Sequence, residues 1–485
     1  MDKYKNLIGG KLIEPSSGEY FDNIDPADKS DIVGKFPKSN AKDVEAAIEA
    51  AKNAYAEWSD MPPPRRGELI YKVGELLMRD QKKLAEIIVH ENGKPTPAAM
   101  GDIKSSADVA YFMAGEGRRM YGQTTYSSLP RRWALTKRYP VGVCGLITAW
   151  NAPMAIITWK LFPALICGNT VVLKPSEDTP LTAHYFGELV KEVGIPDGVV
   201  NIVYGSGPGT GEALVKNQDV KLVSFTGSSQ VGVKISEECG KQNKTCSLEM
   251  GGKNGLIVMP DADLKTAAKA VAAGAFSTAG QRCAATSRVF IHEQVYEMFM
   301  ELLLAEAKAD SISCPIINKR QFDRILSYIE EGKKSGAKLA YGGNALAEGK
   351  YAKGYYIEPT IFTDVNHNSK LAQEEIFGPV LCVFKIKSLG EGIKMVNSVD
   401  YGLTASIFTK DVDSAVHAMD KLEAGCCYIN GPTFGSEPHM PFGGLKKSGN
   451  SHREPGTQAV DVFSEWKTIY IDYSGIAQQS QYKMK

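Results

Sequence analysis

The stretch FSTAGQRCAATSR, residues 276–288, surrounds one cysteine with small side chains. Cys283 follows Gly280 and Gln281 and precedes two alanines, so its thiol has room on both sides. A cysteine in such surroundings can act as a nucleophile in covalent catalysis. The chain has nine cysteines, however, and most thiols of a long chain are inert buried side chains. On these residues alone both interpretations of Cys283 stay open, and the inert one is favoured.

Three other stretches contain residue types that suit a nucleotide. In SFTGSSQVG, a predicted strand runs into a helix that begins near Ser228 or Ser229. A helix N-terminus suits a diphosphate, although an ordinary serine cap is the simpler interpretation. In LKPSEDTP, Lys174 can donate to hydroxyls or phosphate and Glu177 can accept from a ribose, unless this is a solvated charged loop. GSGPGTG, residues 205–211, misses the spacing of the common dinucleotide fingerprint.

The elements that must position these groups are short apolar strands that alternate with helices. A first block contains the strand candidates VGVCGLITAW, NTVVLKP, GVVNIVYG and VKLVSFTG. A second block, about 252–447, contains NGLIVM, SRVFIHE, YIEPTIFTDV, PVLCVFKI and ASIFTK. This alternation predicts an α/β fold with mostly parallel sheets covered on both faces, and such sheets bind ligands at the carboxyl ends of their strands.

Both ends of the chain lie outside this alternation. NLIGGKLIEP predicts a hairpin that turns at Gly9 and Gly10. Apolar residues recur at helical spacing over 41–58 and again over 65–92. EWKTIYIDYS predicts a late strand that neither block needs, and it could pair with another subunit.

Composition excludes several classes of function. The 485 residues are 43% hydrophobic and 23% charged, which is typical of a globular protein with two or more domains. Lys+Arg and Asp+Glu both number 56 without a basic block, so neither nucleic acid nor membrane is expected as a partner. MDKYKNLIGG lacks the apolar core of a signal peptide, which predicts a cytoplasmic protein. The cysteine and histidine spacings predict no metal site.

Seven stretches together match one family, in the family's order: ITAWNAP, NTVVLKPSE, SFTGS, SLEMGGKN, GQRCAA, EEIFGPV and MPFGGLKKSG. On these stretches the chain resembles the NAD(P)-dependent aldehyde dehydrogenase superfamily over essentially its full length. The resemblance implies a Rossmann-like cofactor domain at 1–121 and 141–251 and an α/β catalytic domain at 252–447. It also implies a small β oligomerisation domain at 122–140 and 448–485, and hence a homo-oligomer, either a dimer or a tetramer.

The same resemblance assigns three catalytic residues. Cys283 would add to the aldehyde, and the hemithioacetal would lose a hydride and become a thioester that water hydrolyses. Glu249 would be the base that activates this water, with a pKa raised by partial burial. Asn151 and the backbone N–H of Cys283 would stabilise the developing oxyanion, a donor of this kind being worth about 3 kcal/mol. On sequence alone, an Asx turn is a plausible alternative for Asn151.

The cofactor implied by the resemblance is NAD or NADP. Glu177 would repel a 2′-phosphate and favour NAD, but it can swing aside, and Lys174 could then pair with that phosphate. Glu375 would hold the nicotinamide ribose, and Phe377 would pack near the nicotinamide. The residues carried over as cofactor-binding are Trp150, Lys174, Glu177, Gly207, Gly211, Phe225, Ser228, Glu375 and Phe377.

Two other classes of function stay open at this point. CoA-acylating relatives often lack the glutamate base because CoA takes the acyl group, so Glu249 favours hydrolysis. A structural protein on a former enzyme scaffold would not need Cys283, Glu249 and Asn151 together.

The substrate is predicted from Trp159 and Ala152. Relatives that oxidise succinate semialdehyde tend to carry arginine at the position of Trp159, and tryptophan cannot form that bidentate pair. Many relatives carry phenylalanine at the position of Ala152, so the substrate entrance should be wider here. The leading prediction is therefore a short neutral aldehyde similar to glyceraldehyde. The alternative is a semialdehyde acid such as 2-oxoglutarate semialdehyde, held by an arginine that reaches the entrance from among Arg118, Arg119, Arg131 and Arg132.

Two segments depart from the family pattern. KADSISCPIINKRQF is roughly ten residues shorter than the usual connection, and SGNSHREPG is one residue longer than the usual form.

Overall fold

Strands and helices alternate along the chain much as the apolar runs predict. The computed structural model describes residues 2–309 and 314–476. Part of the shortened connection, 310–313, and part of the predicted tail, 477–485, lie outside the described residues. No helix among the described residues is long and apolar enough to cross a membrane.

The strands are numbered in chain order. They are β1 (Asn6–Ile8), β2 (Lys11–Ile13), β3 (Tyr20–Ile24), β4 (Ile32–Pro37), β5 (Thr124–Tyr126), β6 (Arg132–Pro140), β7 (Val143–Ile147), β8 (Thr170–Lys174), β9 (Val200–Ile202), β10 (Val220–Thr226), β11 (Thr245–Glu249), β12 (Asn254–Val258), β13 (Thr286–His292), β14 (Lys338–Tyr341), β15 (Ala345–Leu346), β16 (Tyr356–Ile357), β17 (Thr360–Thr363), β18 (Val380–Ile386), β19 (Tyr401–Gly402), β20 (Thr404–Phe408), β21 (Cys426–Ile429), β22 (Leu445–Lys446) and β23 (Ser464–Asp472).

The α-helices are numbered in the same way. They are α1 (Ala41–Asp60), α2 (Pro63–Arg79), α3 (Gln81–Asn92), α4 (Thr96–Glu116), α5 (Pro153–Cys167), α6 (Pro180–Val193), α7 (Glu212–Lys216), α8 (Ser229–Lys241), α9 (Leu264–Phe276), α10 (Tyr296–Ala309), α11 (Lys319–Lys334), α12 (Lys370–Gln373), α13 (Leu389–Asn397), α14 (Val412–Lys421) and α15 (Gln458–Val462).

The first block forms a seven-stranded sheet with the order β11-β10-β7-β8-β9-β1-β2. The strands from β11 to β9 run parallel, and β1 and β2 add the predicted hairpin antiparallel at one edge. In β7, the side chains of Cys144 and Leu146 pack into one hydrophobic core, and those of Val143 and Ile147 pack into another. The sheet is therefore covered on both faces, as expected for a parallel sheet.

The second block forms another seven-stranded sheet with the order β14-β17-β18-β13-β12-β20-β21. Its strands are parallel except for β14 at one edge. Residues 256 and 258 of β12 enter one core and Ile257 enters another, so this sheet also has two covered faces. These two sheets confirm the predicted α/β fold class.

A separate three-stranded sheet joins distant parts of the chain in the order β23-β6-β5. The late strand predicted from EWKTIYIDYS is β23, and it pairs antiparallel with β6 of the same chain from Ser464↔Pro140 to Asp472↔Arg132. The strands of these three sheets lie within the residue ranges of the three predicted domains, and the division into domains stays a prediction.

Two predicted elements were wrong in detail. The single helical segment 65–92 is two helices, because Asp80 leaves the helical region (φ −99°, ψ 12°) between α2 and α3. The carboxylate of Asp80 pairs with Arg79, and aspartate competes with helical backbone bonding. YIEPTIFTDV is two strands, β16 and β17, in different sheets, because Pro359 has no N–H to continue a ladder.

Candidate active site

The loops that follow the parallel strands carry most of the residues predicted to do chemistry. They meet at a cavity of about 200 Å³ that lies against both α/β sheets. Its lining residues come from the loops after β7, β10 and β11, from helices α5 and α11, and from the loops around positions 283, 375 and 442. The lining consists of Ala149, Trp150, Asn151, Ala152, Ala155, Ile156, Trp159, Thr226, Gly227, Ser228, Glu249, Met250, Gly251, Cys283, Gln321, Arg324, Glu375, Phe377, Phe442 and Glu454.

The conformation of the loop that contains Cys283 is fixed by its backbone dihedral angles and by close backbone contacts. Thr278 and Ala279 both adopt φ 53°, a left-handed conformation that is strained for residues with a side chain. Gly280 follows at φ 65°, and a Cβ there would lie 2.2 Å from the carbonyl oxygen of Gly378. The carbonyl oxygen of Cys283 accepts from Asn254 Nδ2 at 2.7 Å. These contacts fix the thiol at the cavity wall.

Asn151 lies opposite, at the start of α5. The carbonyl oxygen of Trp150 accepts from Asn92 Nδ2 at 2.8 Å, which anchors the turn. The side chain of Asn151 forms no hydrogen bond with another described residue. Its amide is therefore available to an oxygen atom inside the cavity.

Glu249 ends β11 and points into the same cavity. The side chain is 6% exposed, and neither carboxylate oxygen has a hydrogen-bond partner among the described residues. A Cβ at Gly443 would lie 2.5 Å from Glu249 Oε1, so this glycine makes room for the carboxylate. Burial raises the pKa of Glu249 well above its usual value, and the charge of Glu454 adds to the rise. Such a carboxyl group has the properties of a general base for neutral pH.

A buried ion pair lies beside Glu249. Lys160 Nζ donates to Glu454 Oε2 at 2.7 Å and to Ser224 Oγ at 2.9 Å, and Glu454 Oε1 accepts from Ser224 and Ser247. Sequence analysis missed both charged residues. Lys160 is the one charged residue of the apolar helix α5, and a lysine in such a helix signals a buried partner.

The thiol of Cys283 is held in its neutral form. Burial raises its pKa to about 12, and the negative charges of Glu375 and Glu249 add to the rise. The backbone N–H groups of Ala284 and of Cys283 itself oppose it. A proton acceptor is therefore needed before this sulfur can attack.

One part of the cavity has the shape of a nucleotide site. Ser228 caps α8, and its Oγ accepts from the N–H of Val231, so the helix begins at the cavity. Phe225 lies buried beneath Gly227, where a Cβ would lie 2.4 Å from the Phe225 ring. The backbone after β10 can thus approach a ligand closely.

Glu375 and Phe377 form another wall. Glu375 Oε1 accepts from the N–H of Gly252 at 2.9 Å, and burial raises the pKa of this carboxyl group to about 7. Phe377 adopts φ 60°, and its ring packs on the edge of Trp150 with the centroids 5.3 Å apart. Gln321, which sequence analysis missed, lines the same wall with a buried Oε1 that has no partner among the described residues.

Lys174, Glu177, Gly207 and Gly211 lie outside the cavity lining, at the carboxyl ends of β8 and β9. Lys174 Nζ donates to the carbonyl oxygens of Pro175 at 2.7 Å and Gly205 at 2.9 Å, and it lies 3.5 Å from Glu177 Oε2. Gly207 and Gly211 are the first and last residues of a five-residue π-helical turn. A Cβ at Gly211 would lie 3.5 Å from the Lys174 side chain, so these predicted residues form one cluster.

The predicted substrate residue Trp159 lies in the cavity wall. Its ring packs on Phe442 with the centroids 5.4 Å apart, and its Nε1 is buried without a partner among the described residues. Arg282, the residue before Cys283, was not predicted to contribute to the site. Its guanidinium lies over the ring of Phe434, 4.6 Å from the ring centroid.

Comparisons with known sequences agree on one family. The model of the aldehyde dehydrogenase family matches residues 12–469. The chain is 41% identical over 477 residues to the alpha-ketoglutaric semialdehyde dehydrogenase of Bacillus subtilis (strain 168), with 96% of this chain and 98% of that protein covered. It is 40% identical over 481 residues to the 2,5-dioxopentanoate dehydrogenase of Saccharolobus solfataricus, with 97% and 99% covered. Retinaldehyde dehydrogenase 3 of Homo sapiens is 41% identical over 481 residues, with 96% and 92% covered.

Solved structures give the same result. The NAD-dependent aldehyde dehydrogenase of Sinorhizobium meliloti is similar with a TM-score of 0.95 and 36% identity, covering 99% of this chain and 96% of that one. The NAD⁺ complex of an aldehyde dehydrogenase from Bacillus cereus is similar with a TM-score of 0.94 and 36% identity, covering 97% of both. These likenesses confirm the Rossmann-like α/β fold that the sequence resemblance implied.

Proposed function

This chain belongs to the aldehyde dehydrogenase family and is an NAD(P)-dependent enzyme of that family, and from this premise we propose its substrate and its catalytic residues. The proposed substrate is 2-oxoglutarate semialdehyde, which is oxidised to 2-oxoglutarate. Cys283 is the nucleophile, Glu249 the base and Asn151 the oxyanion donor. The cytoplasmic location and the homo-oligomer stay predictions.

The residues around the cavity fit NAD(P). The N-terminus of α8 at Ser228 suits a diphosphate, and the close backbone approach at Gly227 needs a residue without a side chain. Glu375 and the unpartnered Gln321 Oε1 are acceptors for ribose hydroxyls. When bound, NAD(P) supplies the hydride acceptor for the oxidation.

Glu249, Cys283 and Asn151 carry out the remaining steps of the reaction. Glu249 takes the proton of the Cys283 thiol, and the sulfur forms a bond to the aldehyde carbon. The Asn151 amide and the backbone N–H of Cys283 donate to the oxygen that gains negative charge. After oxidation the acyl group is a thioester on Cys283 Sγ. Glu249 releases the thiol proton to solvent and, as a carboxylate again, takes a proton from water, whose oxygen attacks the thioester carbon. The carbon–sulfur bond then breaks, so that the acid leaves and the Cys283 sulfur is released as a thiolate.

One observation carries the hydrolytic assignment. Glu249 is buried in the same cavity as Cys283, and both its carboxylate oxygens lack a partner among the described residues. A carboxylate without structural bonds, held beside a thiol, is suited to activating water. An enzyme that transfers the acyl group to CoA has no need of it.

The substrate proposal is supported by relatives that match nearly the whole chain. Two of them, from Bacillus subtilis and Saccharolobus solfataricus, carry names for activity on this one compound, since 2,5-dioxopentanoate is 2-oxoglutarate semialdehyde. The human retinaldehyde enzyme is equally identical, so identity alone does not decide the substrate. The second candidate, a neutral aldehyde similar to glyceraldehyde, is favoured by the apolar wall of Trp159 and Phe442.

The test is reduction of NAD⁺ and NADP⁺ by the purified enzyme without CoA. We expect kcat/KM for 2-oxoglutarate semialdehyde to exceed that for glyceraldehyde and for an unbranched neutral aldehyde by at least about tenfold, since an ionic contact is worth this factor or more. A preference for glyceraldehyde would reject the semialdehyde and leave the neutral candidate. A requirement for CoA would reject the hydrolytic assignment.

A further inference from the structure

Arg282 lies one residue before the candidate nucleophile and is not itself a lining residue of the cavity. No hydrogen bond or ion pair joins its guanidinium to another residue within 2–309 or 314–476. The side chain is half-buried. Burial lowers the pKa of Arg282, although the charges of Cys314, Cys283 and Asp102 oppose this. A partly desolvated guanidinium with five free donors gains from an anion placed against it.

Asp102, the acidic residue whose charge acts on Arg282, already has partners for both of its carboxylate oxygens. Asp102 Oδ2 accepts from Lys94 Nζ at 3.2 Å, and both side chains of this ion pair are less than 10% exposed. Asp102 Oδ1 accepts from the backbone N–H of Ala155 at 2.8 Å. Lys94 thus neutralises Asp102, and the charge of Arg282 is left over. Lys94, Arg282 and Asp102 together carry one net positive charge that an anion can neutralise.

The guanidinium is held in position by an aromatic platform. It lies 4.6 Å from the ring centroid of Phe434, a contact that favours arginine over lysine. The platform is fixed to the nucleophile's loop, because Thr433 Oγ1 donates to the carbonyl oxygen of Ala284 at 2.8 Å and lies 2.8 Å from Thr286 Oγ1. Arg282 and Cys283 therefore keep a constant spacing, as a substrate with two functional ends requires.

We propose that Arg282 binds the far carboxylate of the substrate while Cys283 attacks its aldehyde carbon. This inference rests on the proposed function and makes Arg282 its specificity-determining residue. It gives an anionic substrate a cationic partner next to the nucleophile in sequence, which the apolar Trp159 does not supply. It also selects the chemical class, a short acid with an aldehyde at its far end, because the two ends must reach adjacent residues.

The test compares Arg282→Gln and Arg282→Lys with the wild-type enzyme on two substrates, 2-oxoglutarate semialdehyde and an uncharged aldehyde of similar length. For Arg282→Gln we expect KM for the semialdehyde to rise about 10- to 100-fold with little change in kcat, because a charge-assisted pair is lost. Arg282→Lys should recover part of this loss, since it keeps the charge without the planar fork. The kcat/KM for the uncharged aldehyde should stay within about twofold of the wild-type value in both variants. This result would also show that both variants are folded.

Arg119→Gln is the matched control. Arg119 is one of the arginines predicted to reach the entrance, but its Nε and Nη2 already donate to Glu116 Oε1 at 2.9 and 2.6 Å. We expect Arg119→Gln to keep the wild-type preference for 2-oxoglutarate semialdehyde over the uncharged aldehyde. If Arg119→Gln, and not Arg282→Gln, lost activity selectively on the semialdehyde, the assignment would be overturned. If Arg282→Gln lost kcat/KM equally on both substrates, or lost none, the assignment of Arg282 would also be overturned, while the proposed function would still stand. A wild-type enzyme that shows no preference for the semialdehyde would reject the proposed function itself.

Discussion

At the scale of the residue, one cavity contains two acids with raised pKa values, the carboxyl group of Glu249 and the thiol of Cys283. Burial raises the pKa of both Glu249 and Cys283; the charge of Glu454 adds to the rise for Glu249, and the charges of Glu375 and Glu249 add to the rise for Cys283. A protonated thiol does not attack the aldehyde, and a protonated carboxyl group does not accept a proton from the thiol or from water. The proposed roles therefore make the ionisation of Glu249 control the rate of hydrolysis.

This control predicts a pH dependence with a definite sign. Because the folded-state pKa of Glu249 is raised, its basic form is scarce at low pH and accumulates as the pH rises. The steady-state kcat should increase with pH along a limb that lies above the usual range of a glutamate, about 4.3. Glu249→Gln should lower kcat at least about 100-fold and abolish this limb. A variant that keeps both the rate and the limb would show that another group activates the water.

Cofactor choice is a second question at this scale. Lys174 is held by two carbonyl oxygens and lies 3.5 Å from Glu177. Because Glu177 would repel a 2′-phosphate, Glu177→Ser should raise the ratio of kcat/KM for NADP to that for NAD by about tenfold or more. Glu188→Ser, at an exposed position of α6, is the control, and its ratio should not change. An unchanged ratio in Glu177→Ser would mean that the ribose is read elsewhere.

Single residues of the site were predictable to different extents. Cys283 and Glu249 stand in two short motifs, and these residues could be selected because the motifs occur together with five other stretches in the order of one family. Glu454 was missed because its function depends on Lys160 and Ser247, which reach it only in the folded chain. Arg282 was missed for another reason, since only the structure shows that its donors form no hydrogen bond or ion pair among the described residues.

At the scale of the element, the start of α6 is capped from another helix. Thr179 forms no side-chain cap, and Glu91 of α3 accepts instead from the N–H groups of Leu181 and Thr182 at 2.8 Å and from the Thr182 hydroxyl. Glu91 is fully buried. This contact fixes the loop between β8 and α6, which contains Glu177.

Loss of the cap should destabilise the protein. Glu91→Ala leaves three buried donors without a partner, and the cost should be about 3 kcal/mol or more. We expect the thermal midpoint to fall by several degrees, measured by differential scanning calorimetry. Glu86→Ala, at an exposed position of the same helix, should change it by less than about one degree. Equal midpoints for the two variants would reject the cap.

Elements were predictable where one pattern dominated. The buried strands β7, β8 and β10 are continuous apolar runs between turn residues, so their existence follows from local sequence. The break at Asp80 was missed because the apolar spacing continues across it. The pairing of β23 with β6 joins segments more than 300 residues apart, and no local signal encodes such a contact.

At the scale of the whole molecule, the three-stranded sheet leaves large aromatic side chains in solvent. Trp133, Trp466 and Tyr470 are each more than half exposed. Apolar surface of this kind on a sheet marks an interaction site. The sheet therefore supports the homo-oligomer that the family resemblance predicts.

Replacing part of this surface tests the prediction. Trp466→Ser combined with Tyr470→Ser should lower the native mass in sedimentation velocity, because the buried apolar area that holds the subunits together is reduced. Met298→Ser removes an equally exposed apolar side chain of α10 and should leave the mass unchanged. A wild-type protein that sediments as a monomer would contradict the predicted assembly.

The central claim is that the acyl group is held on Cys283 and released by Glu249. The most direct measurement is the intact mass of the Glu249→Gln variant after incubation with NAD⁺ and 2-oxoglutarate semialdehyde and an acid quench. We expect one acyl group added per chain, located on the peptide that contains Cys283, because a long incubation lets the thiol lose its proton to solvent and form the thioester without Glu249, whereas the hydrolysis of that thioester stays slow. The double variant with Cys283→Ala should gain no mass. An unmodified Glu249→Gln chain that still produces NADH at the wild-type rate, or an acyl group on another residue, would contradict the mechanism.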